Sequence, residues 1–423
     1  MSREIQQHPL KLHNTMTGTK EGLVPLTDRT LKLFTCGPSI YGSPHIGNYR
    51  SFLYEDILSR YLNYLGYTVE RLINFTDVED KSITRAGRNM EQLREITEAA
   101  AENFFKNCGL LHIRVPDFIP RSSTSVDQAV RLIKELLKKG VAYQHGPDVF
   151  YDPLKFPGFG RLFGLDLTRW PQKKRRFRRD NYEGNRWNLG DFILWHGYRP
   201  QRDGDIFWET DLGKGRPAWN VQDPAMITKH LGFQIDIVCG GIDNLYRHHD
   251  YTIAIIEAVS GTTFANFWLH GEHVLLDGKK ISKSKGNIIY PGDLLARGIS
   301  AAGLRFGLIS EHYRRKLDLT DLFLLEKEER CRRLQSLARR FTGPLSAEGK
   351  ENHEAEPHIE GLFLDFEKFL NDDLRVGPAC DALLHHLEHL ELHREKTGLG
   401  SSQWSRIRKH LLQIDSVLQI IFE

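Results

Sequence analysis

Leu31-Lys32-Leu33-Phe34 alternates apolar and polar positions, the period of a half-buried strand. Beyond it Leu53, Ile57, Tyr61 and Leu65 recur at every fourth residue, which predicts a helix over 49–65 closed by Gly66 at a left-handed cap. Residues 67–73 predict a second strand, and 82–114 a helical stretch that Pro116 ends. Val126, Val130, Ile133 and Leu137 share one face of a helix over 125–139, with Lys138 and Lys139 in its last turn and Gly140 as its stop. Residues 141–143 and 148–151 flank a His-Gly-Pro turn and predict a hairpin; 234–239 predict a further strand. A polar, Gly/Pro-punctuated linker is expected over 343–358. Three helical patterns follow, centred on Leu362–Phe369, Leu383–Leu390 and Trp404–Ile421, which make a small helical bundle.

Two stretches fit neither pattern. Thr35-Cys36-Gly37-Pro38 through Pro44-His45-Ile46-Gly47-Asn48 crosses from the first strand to the first helix. Free N–H groups at a helix start suit an anion, and His45 and Asn48 add neutral donors for a phosphate. Gly47 is expected to leave the backbone bare for a ligand. Gly278 to Asn287 holds four lysines, two serines and two glycines, a mobile cationic loop suited to a polyphosphate. Between them Gly240-Gly241-Ile242-Asp243 follows a strand: the glycines admit a sugar and Asp243 accepts from its hydroxyls, or the segment is a tight turn with a capping acid. Asp77, after the second strand, either lies at a ligand crevice or caps a helix. Lys173 to Arg179, with Tyr182, Arg186 and Trp187, either grips nucleic acid or is a solvated charge run.

Composition narrows the setting. The 423 residues allow two to four domains, and a net charge of +3 leaves nucleic-acid binding to local patches such as Arg305, Arg314, Arg315 and Lys316. No long apolar run announces a membrane span, and the N-terminus has no apolar signal core. Five scattered cysteines, without a CxxC pair, fit a reducing compartment, so a cytoplasmic location is expected.

The two stretches in this order resemble the HIGH and KMSKS signatures of class I aminoacyl-tRNA synthetases. Asn74-Phe75-Thr76-Asp77, Asp191–Trp195, Arg216-Pro217-Ala218-Trp219 and Asn371–Leu374 resemble passages of the cysteinyl-tRNA synthetases in particular. The resemblance implies an α/β fold: a Rossmann-like parallel-sheet catalytic domain, discontinuous over 1–115 and 206–298, with a connective insertion at 116–205. A helical stem-contact region (299–345) and a C-terminal helical bundle (346–423) complete it. It implies ATP-dependent activation of an amino acid, with Mg2+, and transfer to tRNA. His45, Asn48, Lys280 and Lys283 take the catalytic places. Gly37, Gly47, Gly240, Gly241, Asp243 and Ser282 join the two lysines around ATP, and Thr76 and Trp219 line the amino-acid pocket. A monomer is expected, and the family's further anticodon-reading domain is not expected after residue 423.

The resemblance also implies a zinc ion that takes the substrate thiolate, held by two cysteines, a histidine and a glutamate. By motif these fall on Cys36, Asp223, His248 and Thr252, so carboxylate replaces one thiolate and threonine replaces the glutamate. Cys36, Asp223 and His248 remain as metal ligands, with His249 and Asp250 as nearby spares. Three readings stay open for this pocket: a three-ligand zinc site, an ordinary pocket without metal, or a pocket in which Asp223 faces a cationic or hydroxylic substrate group. Three also stay open for the whole: a cysteinyl-like synthetase, a paralogue that loads a small-molecule amine or carrier, and a non-catalytic RNA-binding relic.

Overall fold

A computed structural model describes residues 9–169, 190–281, 286–342 and 350–422. The basic run at 173–179 with Tyr182, Arg186 and Trp187, the pair Ser282 and Lys283, and the first part of the expected linker lie outside them. After a hairpin of β1 (Lys11–Asn14) and β2 (Thr19–Gly22) come β3 (Thr30–Thr35), α1 (Ile46–Tyr64) and β4 (Thr68–Ile73). The chain returns to the same sheet with β10 (Ile235–Gly241) and β11 (Ala265–Gly271), giving four parallel strands in the order β11-β10-β3-β4. Phe34, Leu72, Val238 and Leu33 are buried, as expected of parallel strands covered on both faces. The register pairs Thr35 with Ile73 and with Cys239, and Gly241 with Gly271, so the strands end together along one edge.

Between β4 and β10 lie α2 (Asp80–Arg85), α3 (Met90–Leu110), α4 (Val126–Lys138), β5 (Ala142–His145), β6 (Asp148–Tyr151), β7 (Phe192–Gly197), α5 (Pro200–Asp203), β8 (Trp208–Thr210), β9 (Gly213–Pro217) and α6 (Trp219–His230). Strands β5 to β9 form one antiparallel sheet in the order β5-β6-β7-β9-β8. Two of its strands lie past residue 205, and Phe118 and Arg121 bridge back to Leu72 and Phe75 beside β4.

After α7 (Asp250–Ser260) and β11, the strands β12 (Val274–Leu276), β13 (Lys279–Lys280) and β14 (Leu317–Leu319) make a second small sheet. Asp277 and Gly278, with φ of 49° and 74°, form the two-residue turn between β12 and β13. Lys279 and Lys280 are therefore held in a strand, where a mobile loop was expected. Helices α8 (Pro291–Ala296), α9 (Ala301–Ser310) and α10 (Asp321–Arg340) lead to the bundle of α11 (Glu356–Leu370), α12 (Val376–Thr397) and α13 (Ser401–Leu418). Arg305, expected on a basic surface, is 1% exposed and donates to Asp56 at 2.7 Å and to the carbonyls of Leu418 and Leu111. Buried Asp373 accepts from Tyr313, Arg314 and the His13 N–H, fastening the bundle to β1 and to the segment between α9 and β14.

Candidate active site

Residues 36–45 cross from β3 to α1 without regular structure, because Pro38 and Pro44 cannot donate and Gly37 must approach another chain segment. A Cβ at Gly37 would stand 1.9 Å from the Asn74 carbonyl oxygen, so no other residue fits there without backbone movement. His45 is the N-cap of α1. Its Nδ1 accepts from the Gly47 N–H at 3.2 Å, and Asn48 Oδ1 accepts from the His45 N–H at 3.0 Å. The proton of a neutral His45 is thereby assigned to Nε2, making that nitrogen a donor. Gly47 serves this ring first: an added Cβ would lie 3.1 Å from it. Its lack of a side chain leaves room for that ring at the edge of the cavity.

Cys36, Gly37, His45, Gly47, Asn48, Gly241, Asp243 and Lys280 line one cavity of about 200 Å³ at the shared C-terminal edge of the sheet. Lys280 Nζ reaches across it to Asp243, 3.1 Å from Oδ1 and 3.0 Å from Oδ2, and lies 3.2 Å from His273 Nε2. Gly240 lies behind the lining, its backbone clamped by the Tyr54 hydroxyl, which donates to its carbonyl at 2.9 Å and accepts from its N–H at 3.1 Å. Gly241 is the more open of the two, since a Cβ there would meet only Ser51 Oγ, at 3.8 Å. The start of a 19-residue helix and one ammonium group thus face a common space, an arrangement able to hold a polyphosphate.

A second constellation adjoins Cys36. Its Sγ lies 3.8 Å from Asp223 Oδ2, and His248 Nδ1 lies 3.9 Å from the same oxygen. The three donor atoms all fall within 4.8 Å of one another. Asp223 sits on α6, one residue before Pro224, and its other oxygen accepts from Asn74 Nδ2 at 2.9 Å. Asn74 in turn accepts from the Gly37 N–H at 2.8 Å and lies 3.5 Å from Thr76 Oγ1. Asn74 was not among the predicted site residues, although it stands in the same sequence passage as Thr76. Trp219, at the start of α6, packs on His248 with rings 4.5 Å apart. Burial pushes the Cys36 thiol well up, and Asp223 and Glu55 add to the shift.

The donor set of thiol, carboxylate and imidazole fits a three-ligand zinc site with a fourth position open. Thr252 is a poor zinc ligand, and its hydroxyl donates to the His248 carbonyl at 2.9 Å. Nor are His249 and Asp250 spares. His249 is buried with Nδ1 2.8 Å from His270 Nε2, and Asp250 accepts from the N–H groups of Leu162 and Phe163. Asp77 does not cap α2, whose N-cap is Glu79; it bonds Ser122 and Ser123 instead.

Residues 22–329 match the family described as tRNA synthetases class I (C) catalytic domain. The cysteine–tRNA ligase of Chlamydia abortus is 36% identical over 419 residues, covering 97% of this chain and 86% of that ligase. That of Protochlamydia amoebophila is 32% identical over 421 residues, covering 99% and 87%. Among solved structures, Mycobacterium tuberculosis methionyl-tRNA synthetase with methionyl-adenylate aligns at TM-score 0.63 and 14% identity over 93% of this chain and 90% of that one. The Agrobacterium radiobacter leucyl enzyme, in a ternary complex with tRNA, aligns at TM-score 0.68 and 11% identity over 94% and 85%. Those two likenesses concern the fold. No helix among the described residues is long and apolar enough to cross a membrane. The family match over most of the chain, together with the cysteine–tRNA ligase relatives, makes this protein a ligase of the class I tRNA synthetase family.

Proposed function

We propose that this enzyme activates cysteine with ATP and transfers it to the 3′ end of a tRNA. One observation supports the reading above others: His45, at the start of α1, and Lys280, 235 positions later, line the same cavity. In the first step the α-carboxylate attacks the α-phosphate of ATP, cysteinyl-adenylate forms and pyrophosphate leaves. His45 Nε2 and the Asn48 amide donate to phosphate oxygens. Lys280 leaves Asp243 for the pyrophosphate, and Asp243, so released, accepts from the ribose hydroxyls beside Gly241. Lys283, outside the described residues, joins Lys280 in that role, and Mg2+ travels with ATP. In the second step a tRNA ribose hydroxyl attacks the acyl carbon and AMP leaves. The protein contributes positioning and charge stabilisation rather than a covalent intermediate.

Cys36, Asp223 and His248 would hold a zinc ion, whose open position would accept the substrate thiolate and so distinguish cysteine from serine. Asn74 orients Asp223 for that task, and Trp219 and Thr76 wall the pocket. Pyrophosphate exchange measured across the twenty amino acids tests the first step; exchange with cysteine alone is expected. Charging of total tRNA tests the second. Exchange without charging would move the assignment to a ligase that loads a small-molecule amine or a carrier, and no exchange with any amino acid would overturn the activation step.

A further inference from the structure

The C-terminal bundle gathers imidazoles that amino-acid activation does not use. Helix α12 carries His385, His389 and His393 at intervals of four, with His386 beside them, and α11 brings His358 to this face. The His358 ring lies flat against His389 at 4.3 Å, and its centroid is 5.5 Å from His386 and 5.8 Å from His385. One nitrogen from each of His358, His385 and His386 falls within 4.8 Å of the other two.

The tautomers follow from the neighbours. His386 Nε2 lies 3.0 Å from Asp365 Oδ2, so Nε2 carries the proton and donates, and Nδ1 keeps its lone pair. That Nδ1 points at His358 Nδ1, 3.2 Å away. Two imidazole nitrogens bound tetrahedrally to zinc at about 2.0–2.1 Å stand about 3.3 Å apart. A carboxylate behind a ligating histidine is the usual device for fixing its ring and tautomer. The helix also makes room for the ring. At Gly361, three residues after His358, a Cβ would lie 2.3 Å from the His386 imidazole.

We propose that His358, His385 and His386 bind a zinc ion that ties α11 to α12, with Asp365 orienting His386 from behind. This site is separate from the Cys36–Asp223–His248 constellation and does not depend on it.

The test uses the full chain carrying Cys36→Ser and Asp223→Asn, which disables the other donor set. Zinc is titrated against a chromophoric chelator, and cobalt(II) is added in parallel as a spectroscopic probe. One zinc per chain is expected, and the cobalt form should show visible ligand-field bands without a near-ultraviolet thiolate band. Asp365→Asn should weaken zinc binding about 10–100-fold. His385→Ala, at an exposed position, should weaken it at least as much. Zinc should also slow amide exchange in α11 and α12. Less than a tenth of an equivalent of zinc bound to the doubly substituted chain, or an unchanged affinity in His385→Ala, would overturn the site.

Discussion

Lys280 and Asp243 form a two-contact ion pair, 3.1 and 3.0 Å, across the mouth of the cavity that His45 lines. Each is the group that the proposed reaction assigns to a different part of ATP. Asp243 is 64% exposed at its side chain and Lys280 46%, so the pair adds little to stability. Asp243→Asn should therefore leave the melting temperature within about 1 °C while raising KM for ATP about tenfold, the scale of one hydrogen bond to a charged acceptor. Lys280→Ala should instead lower kcat for pyrophosphate exchange about 100-fold, since its contact strengthens as charge builds on the leaving group. Steady-state exchange kinetics on both variants would separate the two roles.

Asn74 joins the signature turn to the second constellation through Gly37 at 2.8 Å and Asp223 at 2.9 Å. Removing its amide leaves a buried carboxylate oxygen without a donor, a loss of about 1–3 kcal/mol at the site. Asn74→Ala should raise KM for the amino acid about tenfold and leave KM for ATP within twofold. Equal effects on both constants would mean that Asn74 acts by holding the whole turn.

The sheet and its first helix were legible because their burial follows one period: Leu53, Ile57 and Tyr61 repeat every fourth residue and are all buried on α1. His45, Gly47 and Lys280 were legible through their motifs, which travel with local turn chemistry. What sequence could not show is partnership across distance. Asn74 looks like an ordinary residue at a strand end until α6 delivers Asp223 from 149 positions away. Arg305 reads as one more basic residue beside Arg314 and Arg315, yet Asp56, 249 positions earlier, claims it in the core. The His358–His386 contact spans 28 positions and two helices, so no spacing within one helix announces it. The Asp277-Gly278 turn, by contrast, was readable as a hairpin signal, and the lysines around it drew attention away from it.

The Arg305–Asp56 pair offers a stability test. Arg305 is held by Asp56 and by carbonyls of two segments distant in sequence, Leu111 and Leu418. Breaking a buried pair costs up to about 3–5 kcal/mol. Here the loss falls at the lower end, because Asp56 keeps Arg60 at 2.9 Å while the Leu111 and Leu418 carbonyls lose their donor. Arg305→Ala should clearly lower the unfolding free energy measured in urea, whereas Arg315→Ala, at an exposed position, should change it by less than about 0.5 kcal/mol. Equilibrium unfolding of the two variants in parallel makes the comparison.

Glu55 gives the protein a pH dependence of definite sign. Burial pushes its carboxyl up to about 8, with Arg71 opposing the shift, its nearest guanidinium nitrogen 3.6 Å away. In the unfolded chain the same group titrates at its ordinary value, near 4.5. Between those two values the folded state holds a proton that the unfolded state has released, so the stability Glu55 contributes is complete below about 4.5 and is lost as pH rises through about 8. Glutamine keeps the shape and the neutral form at every pH. Glu55→Gln should therefore match the parent at pH 5 and exceed its melting temperature by about 2 °C or more at pH 8.5. A parallel pair of melting curves over that range checks it: a constant offset between the two proteins would mean that Glu55 is ionised in the fold throughout.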